Sequence, residues 1–416
     1  MKLIKQINNV FFYKNKNDIL LSFTVIFFSI SLIYLGIDHQ LFSYNKEKFY
    51  LWIFLITTCI FFCIFFFPKE KFTNIETFLI LYLAITLISS VYYNLSLEWF
   101  LITFIVLIIN LNHYSKKKNY LINSIIFCNF FIFLIVAYSF YVARNLIFSF
   151  ETYYGIITHA KYEGIIIPRS SGLSRSLAYI LLTLFALFLT SLQITKVSKK
   201  NIFLVIILIP IAYYIYKLHS RGSLFCLIFS FYILFNTYLF VYKIKIYKIF
   251  IFNLIMISIA IYISMIISFR DYSGLDLILK SSGRFESWLY AITNINPLLF
   301  GYGLQADRNI LELNISNLFL YSYLSAGLIG LLFIVFHMIS IFINLINFIS
   351  NHSIIKKNFT ELFIFNYCIL IFPFFSLRSL VENSFAIVSL DFVIWLTLIN
   401  SIIYLKNYYE DKKNNK

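Results

Sequence analysis

Four short stretches of this chain set arginine among the small polar residues that build anion sites. The first is Pro168-Arg169-Ser170-Ser171-Gly172-Leu173-Ser174-Arg175-Ser176, at the start of an apolar run. Guanidinium groups, hydroxyls and the free N–H groups of a helix N-terminus together suit a phosphate or carboxylate. The second is Ser220-Arg221-Gly222-Ser223, a tight turn between two apolar runs. The third runs from Ser282-Gly283-Arg284-Phe285-Glu286-Ser287-Trp288 into Asn296-Pro297 and Gly301-Tyr302-Gly303. A short amphipathic helix there would present Arg284, with Trp288 four residues on packing against its base, and the Gly-Tyr-Gly turn would let backbone approach a ligand closely. The fourth is Arg378-Ser379-Leu380-Val381-Glu382. Each also has a plainer reading, as an interfacial arginine anchor or, for Arg378 and Glu382, as an i, i+4 helical pair.

The elements that must carry these stretches belong in a membrane. The chain has 416 residues, 61% hydrophobic, 12% charged and 21% aromatic, which no soluble globular domain matches. Its net charge of +16 does not point to nucleic acid, because the basic residues sit in short connections between apolar runs. The cysteines, Cys59, Cys63, Cys128, Cys226 and Cys368, all fall inside apolar runs and read as small core hydrophobes. No metal and no cofactor is expected, since no cluster of carboxylates and histidines has ligand spacing.

Apolar runs of about 17 to 25 residues, the length that crosses roughly 30 Å of hydrocarbon, predict an all-α, polytopic integral membrane protein with twelve transmembrane helices. They lie near 19–37, 49–67, 73–92, 98–112, 120–142, 176–194, 202–217, 222–241, 249–268, 317–349, 359–377 and 385–405. Met1 to Asp18 is basic and reads as a cytoplasmic lead-in to the first span rather than a signal peptide. An even number of spans puts both termini in the cytoplasm, with the lysine-rich ends and connections near 70, 117, 198, 245 and 356 inside. All eight arginines then fall on the other side. Arginine is no weaker a topology signal than lysine, so its confinement there calls for another cause, and anion recognition by a rigid, permanently charged fork supplies one. Residues 1–416 form a single membrane domain with two long outside loops, 143–175 and 269–316, the second carrying the short amphipathic helix.

As an ordered set, these motifs resemble the O-antigen ligase and polymerase superfamily of bacterial polysaccharide assembly. The resemblance rests on Arg169-x-x-Gly172 before a span, Ser220-Arg221-Gly222 in a later turn, Gly283-Arg284-x-x-x-Trp288 with Pro297-Leu298 leading into Gly301 and Gly303, and Arg378-Ser379-x-x-Glu382. It covers residues 165 to 385; the first four spans carry none of it. The ligases add His-Asn, nine residues, then Gly-x-x-Gly. Here Ser316-Asn317 precedes nine residues and Gly327-Leu328-Ile329-Gly330, so the frame matches and serine replaces the histidine.

That departure favours a repeat-unit polymerase over a ligase. The resemblance implies a C-type helical glycosyltransferase acting on undecaprenyl diphosphate-linked oligosaccharide at the outer, periplasmic face of the bacterial inner membrane. Arg169, Arg221 and Arg284 would hold the diphosphate and stabilise it as it leaves, with Arg175 and Arg378 behind them and Trp288, Gly301 and Gly303 lining the substrate. Glu382 is a candidate base, with pairing to Arg378 as its alternative role. His159, His219, Glu286, Asp307 and Glu312 lie on or near the same face. Membrane lipid and a chain-length regulator are the candidate partners. An O-antigen ligase and a lipid-linked oligosaccharide flippase, which is no enzyme, are the alternatives; a flippase should carry charges along its spans, and these spans carry few.

Overall fold

The computed structural model describes residues 16–37, 72–93, 97–111, 113–142, 161–162, 165–166, 170–194, 199–217, 221–243, 284–294, 299–311, 315–355, 358–380, 386 and 389–414. They form α1 (Lys16–Ile37), α2 (Asn74–Tyr92), α3 (Leu97–Asn110), a 3-10 turn (His113–Lys116), α4 (Lys118–Val142), α5 (Ser170–Ile194), α6 (Lys199–Lys217) and α7 (Arg221–Val241). After these come α8 (Arg284–Asn294), α9 (Ala306–Asn309), α10 (Leu318–Ser350), α11 (His352–Ile355), α12 (Phe359–Arg378) and α13 (Leu390–Asn414). The described strands are β1 (Lys161–Tyr162) and β2 (Ile165–Ile166), an antiparallel pair with Lys161 opposite Ile166.

Seven of these helices are long and apolar enough to cross a bilayer: α2, α4, α5, α7, α10, α12 and α13. A helix satisfies its own backbone, which hydrocarbon cannot do for it, and the chain is a helical membrane protein. Of the other expected spans, those near 49–67 and 249–268 lie outside the described residues. The expected span near 98–112 is α3, of 14 residues. Those near 19–37 and 202–217 coincide in part with shorter apolar stretches, Asn17–Ile33 and Ile206–Ile215. Pro210 lies inside α6 and removes a helical N–H there.

α12 is the axis of the bundle. Of its span, 89% is buried, against 22% for α7 and 33% for α10, whose outer faces present apolar side chains such as Leu328, Leu332 and Phe336 to the surroundings. Around α12 pack α5, α7, α10 and α13. Between helices already surrounded by lipid, close dispersion contact and interhelical hydrogen bonds replace the hydrophobic drive. Phe372 and Phe375 of α12 pack on Trp395 of α13. The Trp395 indole donates to Nε2 of His337 at 2.9 Å, and His337 Nδ1 lies 2.8 Å from the carbonyl of Ile75. A carbonyl can only accept and an indole N–H can only donate, so the neutral Nδ1–H tautomer is held and α10, α13 and α2 are joined. Asn110 similarly ties α3 to α1 through Ser29 at 2.8 Å, and its carbonyl accepts from Asn400 of α13 at 2.8 Å. Asn366 of α12 bonds Tyr238 of α7 and Thr190 of α5.

The two ends of the bundle differ. At one, Lys116 meets Glu76 at 2.9 Å and Lys118 meets Glu361 at 3.2 Å, closing α2 and α12 onto the turn before α4. At the other lie the first residues of α5, α7, α10 and α13 and the last of α2 and α12, joined by the contacts of the candidate site.

Candidate functional site at the arginine end

The centre of this end is a break in α10. Gly327 has φ 69° and ψ −166° inside an otherwise helical run of 33 residues, so two helices meet at a kink there. A helix interrupted there leaves the carbonyls of Leu324 and Ser325 and the N–H of Ile329 without their usual partners. The segment Leu299–Gly303 supplies replacements. Tyr302 N–H donates to Leu324 O at 2.8 Å, Gly303 N–H to Ser325 O at 2.8 Å, and Ile329 N–H to Leu299 O at 3.4 Å. Only glycine lets the two backbones come so close. A Cβ on Gly301 would lie 2.3 Å from Ala326 N, and one on Gly327 would lie 2.4 Å from Leu299 O. Gly303, at φ 99°, would meet Ser90 of α2. The close approach expected of Gly301 and Gly303 is therefore made to α10 and α2.

The chain then turns through α9. Leu304 N–H donates to Ser90 Oγ at 3.0 Å and Gln305 N–H to the Tyr321 hydroxyl at 2.9 Å, holding Gln305 at φ 57°. Asp307 is 1% exposed, and one carboxyl oxygen accepts from Ile315 N–H at 3.0 Å. Burial pushes this carboxyl above the ordinary carboxylate range, partly offset by that hydrogen bond. Asn317 caps α10: its Oδ1 accepts from Phe319 N at 2.9 Å and Leu320 N at 3.0 Å. Its amide donates to Leu380 O at 2.8 Å, while Leu318 N–H donates to Ser379 O at 2.9 Å. The start of α10 is thus tied to the end of α12.

Arg378 closes α12. It is 2% exposed, and its Nη1 donates to Ser223 Oγ of α7 at 3.1 Å. This joins the Arg-Ser pattern to the Ser-Arg-Gly-Ser pattern, whose Arg221 opens α7. α12 ends at Arg378 with Ser379 as its C-cap, and the expected i, i+4 partner Glu382 lies outside the described residues. Arg175, in the second turn of α5, meets Asp391 in the first turn of α13 at 2.6 Å. This contact serves the fold, because Asp391 is 1% exposed and a buried carboxylate needs its counter-charge.

Arg284 opens α8, an amphipathic helix of 11 residues. Its Trp288 packs with Ala291, Ala306, Ile315 and Leu324, so that the ring anchors α8 to α9 and α10. Glu286 and Arg308 are exposed. Arg169, Glu382, His159, His219 and Glu312 lie outside the described residues. Cys128, Cys226 and Cys368 are buried free thiols, and among the described residues no group of three or more His, Cys, Asp or Glu has metal-holding geometry.

Two features escaped the sequence reading. One is the docking of Leu299–Gly303 on the broken α10, which the two glycine pairs, Gly301 with Gly303 and Gly327 with Gly330, jointly signal. The other is a cleft of about 340 Å³ between the last turn of α2 and that segment, with Ser89, Tyr92, Tyr93 and Phe300 on its wall. No family model, curated protein or solved structure matches the chain.

Proposed function

We propose that the protein is a repeat-unit polymerase that joins undecaprenyl diphosphate-linked oligosaccharides into O-antigen or a related surface polysaccharide at the outer face of the bacterial inner membrane. The twelve-span topology, cytoplasmic termini and C-type helical glycosyltransferase architecture belong to this reading. The observation that carries it is the junction of separate motifs at one end of the bundle: Arg378 on Ser223, Arg175 on Asp391, and Asn317 on the end of α12. These residues are scattered over more than half of the chain, and they meet on the end opposite the lysine-rich turn at Lys116 and Lys118.

In the reaction, the bond between the anomeric carbon of the growing chain and its diphosphate breaks. A hydroxyl at the nonreducing end of an incoming lipid-linked unit forms the new glycosidic bond and gives its proton to a base or to water. The lipid diphosphate departs with its electron pair and developing charge. Fixed cations aimed at such charge are usually the largest catalytic contribution, and Arg169, Arg221 and Arg284 take that role, with Arg175 and Arg378 behind them. Glu382 is the candidate base, with pairing to Arg378 as its other role. Ser316, where a ligase carries histidine, favours polymerisation over transfer to a lipid A core.

The test is stoichiometric. Purified protein given one defined lipid-linked repeat unit should release one undecaprenyl diphosphate for each unit added to the chain. Release of lipid diphosphate with no chain growth, or movement of intact substrate across a bilayer with no release, would sink the proposal.

A further inference from the structure

Ser89 lies on the cleft wall, is 2% exposed, and its hydroxyl has no hydrogen-bond partner among the described residues. A helical serine or threonine normally returns its hydroxyl to the carbonyl one turn back, as Thr86 does to Tyr82 O at 2.8 Å. The neighbouring Ser90 hydroxyl accepts from Leu304 N–H. A buried hydroxyl left unsatisfied is costly, and Ser89 stands at the wall of an open cleft from which a ligand's polar group could complete it.

The rings beside it indicate the kind of molecule. Tyr92 and Tyr93 stand edge-on with centroids 4.9 Å apart, and Tyr93 lies 5.0 Å from Tyr302. Tyr92 is 80% exposed and Tyr93 39%. The cluster occupies the end of α2, where a span gives way to the interface, and tyrosine offers an apolar face and a polar edge there. A sugar ring needs both, a flat apolar surface for its C–H face and hydroxyls for its edge. The volume is near the lower limit for small-molecule sites, roughly 300–1,000 Å³, which suits a short saccharide better than a long isoprenyl chain. An isoprenyl chain would also leave Ser89 unsatisfied.

We propose that this cleft is a saccharide subsite: the Tyr92 and Tyr93 rings pack against a sugar and Ser89 bonds one of its hydroxyls. The inference rests on the polymerase reading for its ligand, which is the nonreducing end of the acceptor oligosaccharide. It assigns a substrate role to α2, a part of the chain that the motif resemblance does not reach. Gly301 serves on two sides, admitting the α10 backbone on one and lining the cleft on the other.

The experiment measures binding of a fluorescent, lipid-free oligosaccharide, released by mild acid from the lipid-linked repeat unit, to the full-length protein in nanodiscs. Farnesyl diphosphate is titrated in parallel. Tyr93→Leu keeps apolar bulk and removes the ring, Tyr93→Phe keeps the ring, and Ser89→Ala removes only the hydroxyl. We expect Tyr93→Leu and Ser89→Ala each to weaken oligosaccharide binding by roughly tenfold, about 1.4 kcal/mol. Tyr93→Phe should stay close to the parent, and farnesyl diphosphate binding should be unchanged. No oligosaccharide binding by the parent, equal binding by all variants, or a loss of farnesyl diphosphate binding instead would each overturn the subsite. A parent that binds the oligosaccharide but yields no polymer would count against the polymerase reading and leave the subsite standing.

Discussion

Arg175 and Arg378 illustrate how a residue type can be legible while its partners are not. Both were expected near an anion, and both turn out to hold protein groups, Asp391 and Ser223. Neither partner is near in sequence, so no spacing could announce them. Arg175→Ala would leave Asp391 buried without its counter-charge; thermal melting in detergent should drop by the equivalent of about 3 kcal/mol, the low end for a broken buried pair because Arg175 is part-exposed. The double substitution Arg175→Ala with Asp391→Asn should recover most of that stability. Polymer returning together with stability would mean that Arg175 serves the fold alone, while stability without polymer would leave it a role at the substrate. Asp307 makes a pH prediction. Its native carboxyl titrates above the ordinary 3.8 because burial disfavours the charge, so the native state binds more protons than the unfolded chain in that window. Stability should therefore fall as pH rises from about 3.8 through the raised native value. Asp307→Asn, with an amide oxygen still able to accept from Ile315, should flatten that part of the melting curve against pH; an unchanged slope would refute the assignment.

At the scale of elements, apolar runs were readable because hydrocarbon demands long helices whose backbones satisfy themselves, as α2, α4, α5, α7, α10, α12 and α13 do. What the 317–349 run could not reveal by hydropathy was its interruption. Gly327 is as apolar in composition as its neighbours, and the break depends on a distant segment, Leu299–Gly303, arriving to take over the freed carbonyls. Gly327→Ala should be costly, because a side chain at φ 69° adds strain of roughly 1–3 kcal/mol and the new Cβ meets Leu299 O. Yield of monodisperse protein and melting temperature should both fall. By contrast, Leu328→Ala on the adjacent exposed position should leave both nearly unchanged. Equal behaviour of the two variants would show that the break tolerates ordinary residues.

For the whole molecule, the lysine and arginine partition led to two chemically different ends, and the bundle has them, with Lys116–Glu76 and Lys118–Glu361 at one and the arginine-bearing helix ends at the other. Which end faces the cytoplasm is a separate matter of charge and insertion. Single cysteines replacing the exposed Arg308 and Lys117, in a chain otherwise free of cysteine, should differ toward a membrane-impermeant maleimide. Labelling of Arg308→Cys in intact spheroplasts and of Lys117→Cys only after lysis is expected; the reverse pattern would invert the topology and move the proposed site to the cytoplasm. The cleft beside Ser89 lay outside the sequence reading for a related reason. It is formed by residues more than two hundred positions apart whose identities, Ser and Tyr, are ordinary at a membrane surface, and only their arrangement around an unsatisfied hydroxyl is informative.

The central claim is polymerisation driven by arginine-held diphosphate, and it meets its most direct test in a reconstituted reaction. The full-length protein in nanodiscs is incubated with a single defined undecaprenyl diphosphate-linked repeat unit in the presence of chelator, and the products are resolved on a gel beside those of Arg169→Ala, Arg221→Ala, Arg284→Ala and Arg284→Lys. The account predicts a ladder of lipid-linked oligomers from the parent, none from the three alanine variants, and little recovery in Arg284→Lys, since an ammonium cannot reproduce the bidentate fork. A full ladder from all three alanine variants, or no ladder from a correctly inserted parent given its authentic repeat unit, would contradict it.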